Sequence, residues 1–237
     1  MIALTMYVHA TYMRSYRYVP PLLLLIIIMV WIYSLVPNPV MGSYAFTSAL
    51  LFAVSAWLAF GFIDTEHETQ LTLTALHAGS LSRLTAAKLL YAWVFTAPLV
   101  ILLVLYPALL HKFDRTPSVY ELAAALAGHL SLSLLGIACG VFFTARFIPR
   151  LTTSAPGLLA IVALALAGGG IHRMLPESVA FLAWLLPPVH VIMNALDAYP
   201  RTSGLSIWAA CGFGIIYGVA ALTIFVLLLR HKGLTAA

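Results

Sequence analysis

Every acidic or basic side chain in this chain sits at the edge of a long apolar block. No Asp, Glu, Lys or Arg occurs between Arg17 and Asp64. The same holds from Lys88 to Lys112, Glu121 to Arg146, Arg150 to Arg173, Glu177 to Asp197 and Arg201 to Arg230. An ionised side chain at the centre of a bilayer costs roughly 2.5–3.5 kcal/mol even on the mildest scale, so charge-free runs of this length mark membrane spans. With 63% hydrophobic residues, 8% charged residues and a mean hydropathy of +1.03, the chain is too apolar for a soluble fold.

A helix needs about 20 apolar residues to cross ~30 Å of hydrocarbon. Against that length the blocks read as spans near 20–36, 43–63, 89–110, 119–145, 155–172 and 206–229. Pro37, Asn38, Pro39 and Gly42 divide the first charge-free block into two crossings by turn chemistry. Backbone groups in lipid must be satisfied within a helix or a closed barrel, and strict apolar/polar alternation is absent, so the spans are helices. The segment 178–196 is long enough to cross but is interrupted by Pro187 and Pro188. It reads as a re-entrant or interfacial pair of short helices, with a seventh span as the less favoured option. The expected fold is an all-α membrane protein of six transmembrane helices in a single domain, 1–237. An N-terminal interfacial helix covers 1–18, and a re-entrant region, 173–205, precedes the last span.

Six spans place Arg14, Arg17, Arg83, Lys88, Arg146, Arg150, Arg230 and Lys232 on one side, against Lys112, Arg115, Arg173 and Arg201 on the other. The side richer in Lys and Arg is the cytoplasmic one, so both termini are expected there. A net charge of +5 is ordinary for this topology and is no argument for nucleic acid. The run after Arg14 and Arg17 reads as a retained first span rather than a signal peptide. Tyr7, Tyr12, Tyr16 and Tyr18 suit a membrane interface, where a ring buries its body and keeps its hydroxyl wet.

Motifs for chemistry are scarce. There is no G-x-x-x-x-G-K-[ST] phosphate loop, no H-E-x-x-H, no G-x-S-x-G and no pair of carboxylates within a span. No catalytic residue is expected; Ser131 or Ser133 with His129 or His172 has to be forced into the role of an intramembrane protease. His111, His129, His172 and His190 fall at or near span ends, where isolated interfacial histidines are a commoner explanation than a haem or metal site. Cys139 and Cys211 lie inside spans without metal-ligand spacing and read as small buried residues. No charge lies at the middle of any span, whereas ion-coupled transporters usually keep one there. An apolar interior with no coupling residue conducts passively or takes its energy from another chain.

The longest polar stretch is 64–88 (DTEHETQLTLTALHAGSLSRLTAAK). Asp64, Glu66 and Glu68 open it, where carboxylates favour a helix N-terminus. Leu71, Leu73 and Leu76 form a short apolar set, Gly79 is placed to stop a helix, and Ser80 or Ser82 can cap the next one. The pattern is a short helix across the membrane face, a tight turn, and a long helix.

This segment, from Asp64 to Leu90, resembles the loop between the second and third spans of type-2 ABC exporter permeases. There an acidic stretch leads into a short coupling helix, a Gly/Pro-containing turn, a Ser-Arg pair and a Lys entering the third span. Here these are Glu66 and Glu68, then Gln70 to Leu76, then Gly79, Ser82-Arg83 and Lys88; the family's Glu-x-Glu-x-Gly run becomes Glu66-His67-Glu68-Thr69, without its glycine. The resemblance implies a membrane-spanning permease subunit of an ATP-driven exporter in the cytoplasmic membrane of a prokaryote. Its partners would be two ATPase subunits, which hold the ATP and Mg, and a second permease copy or homologue. The chain itself would hold no cofactor and would not be an enzyme. Glu66, His67, Glu68, Gln70, Leu73, Leu76 and His77 would dock the ATPase, and Arg83 and Lys88 would pair with Asp64 or Glu66 to stiffen the corner, at the modest gain of exposed pairs. Phe52, Trp57 and Phe60, with Ile161, Leu164 and Gly168, would wall the path of a hydrophobic or amphipathic cargo. Two rival classes are a non-transporting membrane scaffold or assembly factor and an intramembrane enzyme.

Overall fold

The computed structural model describes residues 2–66, 68–176 and 185–235. Among these the chain is all-α, with no β-strand beyond a single bridge between Asn38 and Phe113. Helices α1 (Ile2–Ser15) and α2 (Val19–Ile32) meet at a 74° bend, where Tyr16 adopts a left-handed φ of 54°. Pro20 and Pro21 follow at the first helical positions of α2, where a missing N–H costs nothing. Then come α3 (Val40–Ile63), α4 (Glu68–Ala78), α5 (Leu81–Leu109) and α6 (Val119–Gly140), the last running into a 3-10 turn at Val141–Phe143. The remainder is α7 (Leu151–Leu166), α8 (Gly168–Met174), α9 (Val189–Asp197) and α10 (Gly204–Thr235).

Four helices, α3, α5, α6 with its 3-10 turn, and α10, are long and apolar enough to cross a membrane. The bent pairs α1–α2 and α7–α8 raise that to six if each is one span. The chain is therefore an all-α, multi-pass membrane protein. The fifth block differs from expectation, since α7 and α8 turn by 67° about Ala167 instead of continuing straight. At that bend Gly168 packs on the His190 ring, at a point where a Cβ would crowd Nδ1.

Helices α3 and α6 form the centre, each with 67% of its apolar window buried against 22% for α10. They pack closely because Gly136 and Gly140 of α6 face Phe52, Ser55, Ala56 and Ala59 of α3; a Cβ at either glycine would overlap the carbonyl oxygen of Phe52 or Ala56. Small residues four apart are how helices approach in lipid, where dispersion and hydrogen bonds replace the hydrophobic drive. The other side of α6 repeats the device, with Gly214 and Gly218 of α10 set against Ser131 and Leu134. Hydrogen bonds reinforce these contacts. Thr47 of α3 meets His129 Nε2 at 3.0 Å while the His129 Nδ1–H donates to Ala125 O at 2.7 Å, and Ser131 donates to Cys211 O at 3.0 Å. Tyr44 and Trp93 tie in α5, donating to Val104 O and Leu130 O.

At the end of the bundle away from α4, Arg115 forms a bidentate pair with Glu121, which closes a capping box with Ser118 at the start of α6. Helix α9, nine residues long, rises only about 14 Å and cannot cross; it inserts Val189, Ile192 and Leu196 into the core. The first half of the expected re-entrant pair falls largely on 177–184, outside the described residues. Substituting Gly136→Ala is expected to destabilise the protein by at least about 1–3 kcal/mol through overpacking. Gly212→Ala on α10, where a Cβ meets no described atom within 4 Å, should lose nothing; thermal unfolding in detergent checks both.

Candidate functional site

The polar stretch 64–88 folds into a braced corner joining α3, α4 and α5. Asp64 ends α3, and its carboxylate accepts the Ala145 backbone N–H at 2.5 Å. Arg17, from the α1–α2 bend, donates through Nη1 to Gly61 O and Asp64 O at 3.3 and 3.0 Å, satisfying carbonyls left open where α3 stops. Two residues on, Glu66 turns inward and pairs with Lys88 of α5 at 2.5 Å, their side chains 1% and 4% exposed. Lys88 Nζ also reaches Ile63 O at 3.5 Å. Glu66 Oε1 is buried without a hydrogen-bond partner among the described residues.

Helix α4 then runs eleven residues and stops at Gly79, whose φ of +83° few side chains tolerate. Ser80 caps α5 by accepting the Arg83 N–H at 3.1 Å. Leu71 faces in, whereas Gln70, Leu73, Leu76 and His77, spaced three and four apart, share one exposed face. Leu73 and Leu76 are 55% and 72% exposed, an apolar stripe that nothing in the described chain covers. Beside it a cleft of about 770 Å³ opens between α1 and α4, bounded by Leu4, Tyr7, Leu73, His77 and Arg83. Helix α1 is anchored there: His9 meets the Tyr91 hydroxyl at 2.6 Å, and Tyr12 packs edge-on against Phe62 and Phe95.

Several expectations need correction. Glu66 is a buried brace and presents no carboxylate to a partner, because Lys88 draws it inside. The expected pairing of Lys88 is present but interior, not an exposed pair of small worth. Arg83 joins no carboxylate among the described residues; its guanidinium donates to Ala78 O at 3.4 Å. His67 lies outside the described residues, as does the side chain of Glu68. Tyr12 is 1% exposed with no hydroxyl partner among the described residues, so it serves the aromatic cluster rather than the interface.

Of the six residues assigned to a cargo path, Trp57 and Phe60 line an apolar groove of about 310 Å³ between α2, α3 and α7. Phe52 does not, being fully buried against α6. Ile161 packs on the core, Leu164 is exposed, and Gly168 sits behind α9 against His190. The α7 residues that do line the groove are Ala155, Leu158, Leu159 and Val162.

The buried Ser131, Ser133 and His129 are engaged in the helix packing. Ser131 and Ser133 donate to the carbonyls of Cys211 and Leu130, and His129, expected near a span end, is fully buried against Thr47. His172 and His190 alone among the four candidates share a cavity, of about 220 Å³, with Phe213 and Tyr217. Burial first and then the neighbouring His172 disfavour the charged form of His190. No group of three or more potential metal ligands occurs among the described residues. Both cysteines are buried and free.

Sequence reasoning missed Arg17 and Ala145, whose roles arise from chain crossing and leave no local signal. It also missed Ser118-Val119-Tyr120-Glu121, where the capping-box spacing was readable. No family model, no curated protein and no solved structure matches the chain.

Removing one partner of a buried pair strands the other's charge. Lys88→Met is therefore expected to cost about 3–5 kcal/mol, while Glu66→Leu/Lys88→Met recovers most of the loss. Unfolding of the two variants and wild type in mixed micelles measures this.

Proposed function

We propose that the chain is the membrane-spanning permease subunit of an ATP-driven exporter, working with separate ATPase subunits. The observation that carries this reading is α4, an eleven-residue helix with an uncovered apolar face, held at both ends to long apolar helices. Glu66–Lys88 fixes its entry to α5, Asp64–Ala145 and Arg17 fix the end of α3, and Gly79–Ser80 makes its exit a tight turn. A docked subunit that pushes on such a helix would move α3 and α5 with it, because these contacts tie the corner to both. Differential contacts of that partner in its nucleotide states would then bias two arrangements of the bundle.

In this reading α4 faces the cytoplasm, α1 lies along that membrane surface, and Gln70, Leu73, Leu76 and His77 form the docking face. A second permease copy completes the path, and the apolar groove beside Trp57 and Phe60 is where a hydrophobic or amphipathic cargo enters. No ATP is bound by this chain; ATP and Mg belong to the partner.

Leu73→Glu/Leu76→Glu places charge on the exposed stripe and touches nothing in the core. The variant is expected to keep the wild-type unfolding temperature and lose co-purification of an ATPase from native membranes. Co-purification of wild type with no ATPase at all would instead favour the scaffold class.

A further inference from the structure

We propose that the groove between α2, α3 and α7 is a binding site for one anionic glycerophospholipid, with an acyl chain in the trough and the phosphate beside Arg17. The trough is lined by Leu24, Leu50, Val54, Leu158 and Val162, with hardly a polar atom in its wall. It joins a second cleft of about 580 Å³, because Trp57 and Phe60 line both. That cleft holds Arg17, Gly61, Asp64, Pro149 and Leu151. The two spaces adjoin along that shared wall, one greasy and the other polar.

The trough's dimensions match one leaflet. Arg17, Asp64 and Leu151 lie where α2 starts, α3 stops and α7 starts, so the mouth is at the level of three helix ends. From Phe60 to Leu50 the trough follows α3 for about 15 Å at 1.5 Å per residue. That is half of the ~30 Å hydrocarbon core, the depth one acyl chain reaches. The groove also opens sideways, since Leu24 and Leu159 at its rim are 41% and 70% exposed.

Charge selects the headgroup. Arg17 uses Nη1 on two backbone carbonyls, while its Nε and Nη2 make no hydrogen bond among the described residues and remain available to a phosphate. Asp64, the one carboxylate lining the mouth among the described residues, already accepts the Ala145 N–H. Arg150 is exposed and lies in sequence between the lining residues Pro149 and Leu151. A zwitterionic headgroup would gain less here, because its cation would face Arg17.

The inference names an occupant for the groove that the permease reading assigns to cargo, but the binding itself needs no ATPase. The test is native mass spectrometry of the detergent-purified chain, incubated with equal phosphatidylglycerol and phosphatidylcholine of identical acyl chains. Wild type is expected to retain one phosphatidylglycerol in preference to phosphatidylcholine. Arg17→Gln should cut that preference about five-fold, the effect of one arginine near an anionic surface, and Arg17→Lys should largely keep it. Ala155→Phe, which fills the trough and leaves the mouth intact, should lower retention of both lipids. Equal retention of the two lipids by wild type, retention of detergent alone, or an unchanged spectrum for Ala155→Phe would each overturn the proposal. A chain that keeps the lipid but recruits no ATPase loses the permease reading only, and the converse result loses this inference only.

Discussion

The close approach of α3 and α6 is the constraint on which the rest of the molecule depends. In lipid there is no hydrophobic drive to bring two apolar helices together, so contact has to come from shape and hydrogen bonding. Gly136 and Gly140 supply the shape, letting the α3 backbone sit against α6. Thr47 and His129 supply a polar tie at the same interface. With one face of α6 occupied by α3, a second pair of glycines, Gly214 and Gly218, brings α10 to the other face. Helices α5 and α9 then fill what this three-helix core leaves open, and α9 can be short because protein covers it on most sides.

The rigidity of that core gives the polar corner its meaning. A buried ion pair is poor evidence of stability, since desolvation offsets much of its attraction. What Glu66–Lys88 does supply is a tie between the link ahead of α4 and α5. Arg17 and the Asp64–Ala145 bond fix the same corner from two other parts of the chain. The uncovered side of α4 carries Leu73 and Leu76. Helix α4 is thus apolar outward and anchored inward at its junctions with α3 and α5.

Much of this was legible in the residue order. Charge-free runs located the long apolar helices, because charge is costly in hydrocarbon, though α5 begins eight residues before the expected span and α10 ends six residues after it. Gly79 and Ser80 marked the α4–α5 turn for reasons local to the chain, positive φ and an exposed first turn of N–H groups. What the order did not reveal was set by tertiary contact. Glu66 reads as a surface carboxylate until Lys88 arrives from 22 residues away. Tyr12 reads as interfacial until Phe62 and Phe95 close over it. The break at Ala167 was hinted at by Gly168, Gly169 and Gly170, yet its angle depends on α9 packing into it. The Gly-x-x-x-Gly spacings at 136–140 and 214–218 were in plain view and carried more of the architecture than any polar motif.

The account turns on which side of the membrane α4 occupies. Cysteines placed singly at Leu76 and Val119, both well exposed and separated by the length of α5, report this with a membrane-impermeant maleimide. The native Cys139 and Cys211 are buried and contribute little background. In intact cells Val119→Cys should label, and Leu76→Cys should label only after permeabilisation. Labelling of Leu76→Cys in intact cells would put α4 outside, beyond reach of any ATP-driven partner, and would contradict the account.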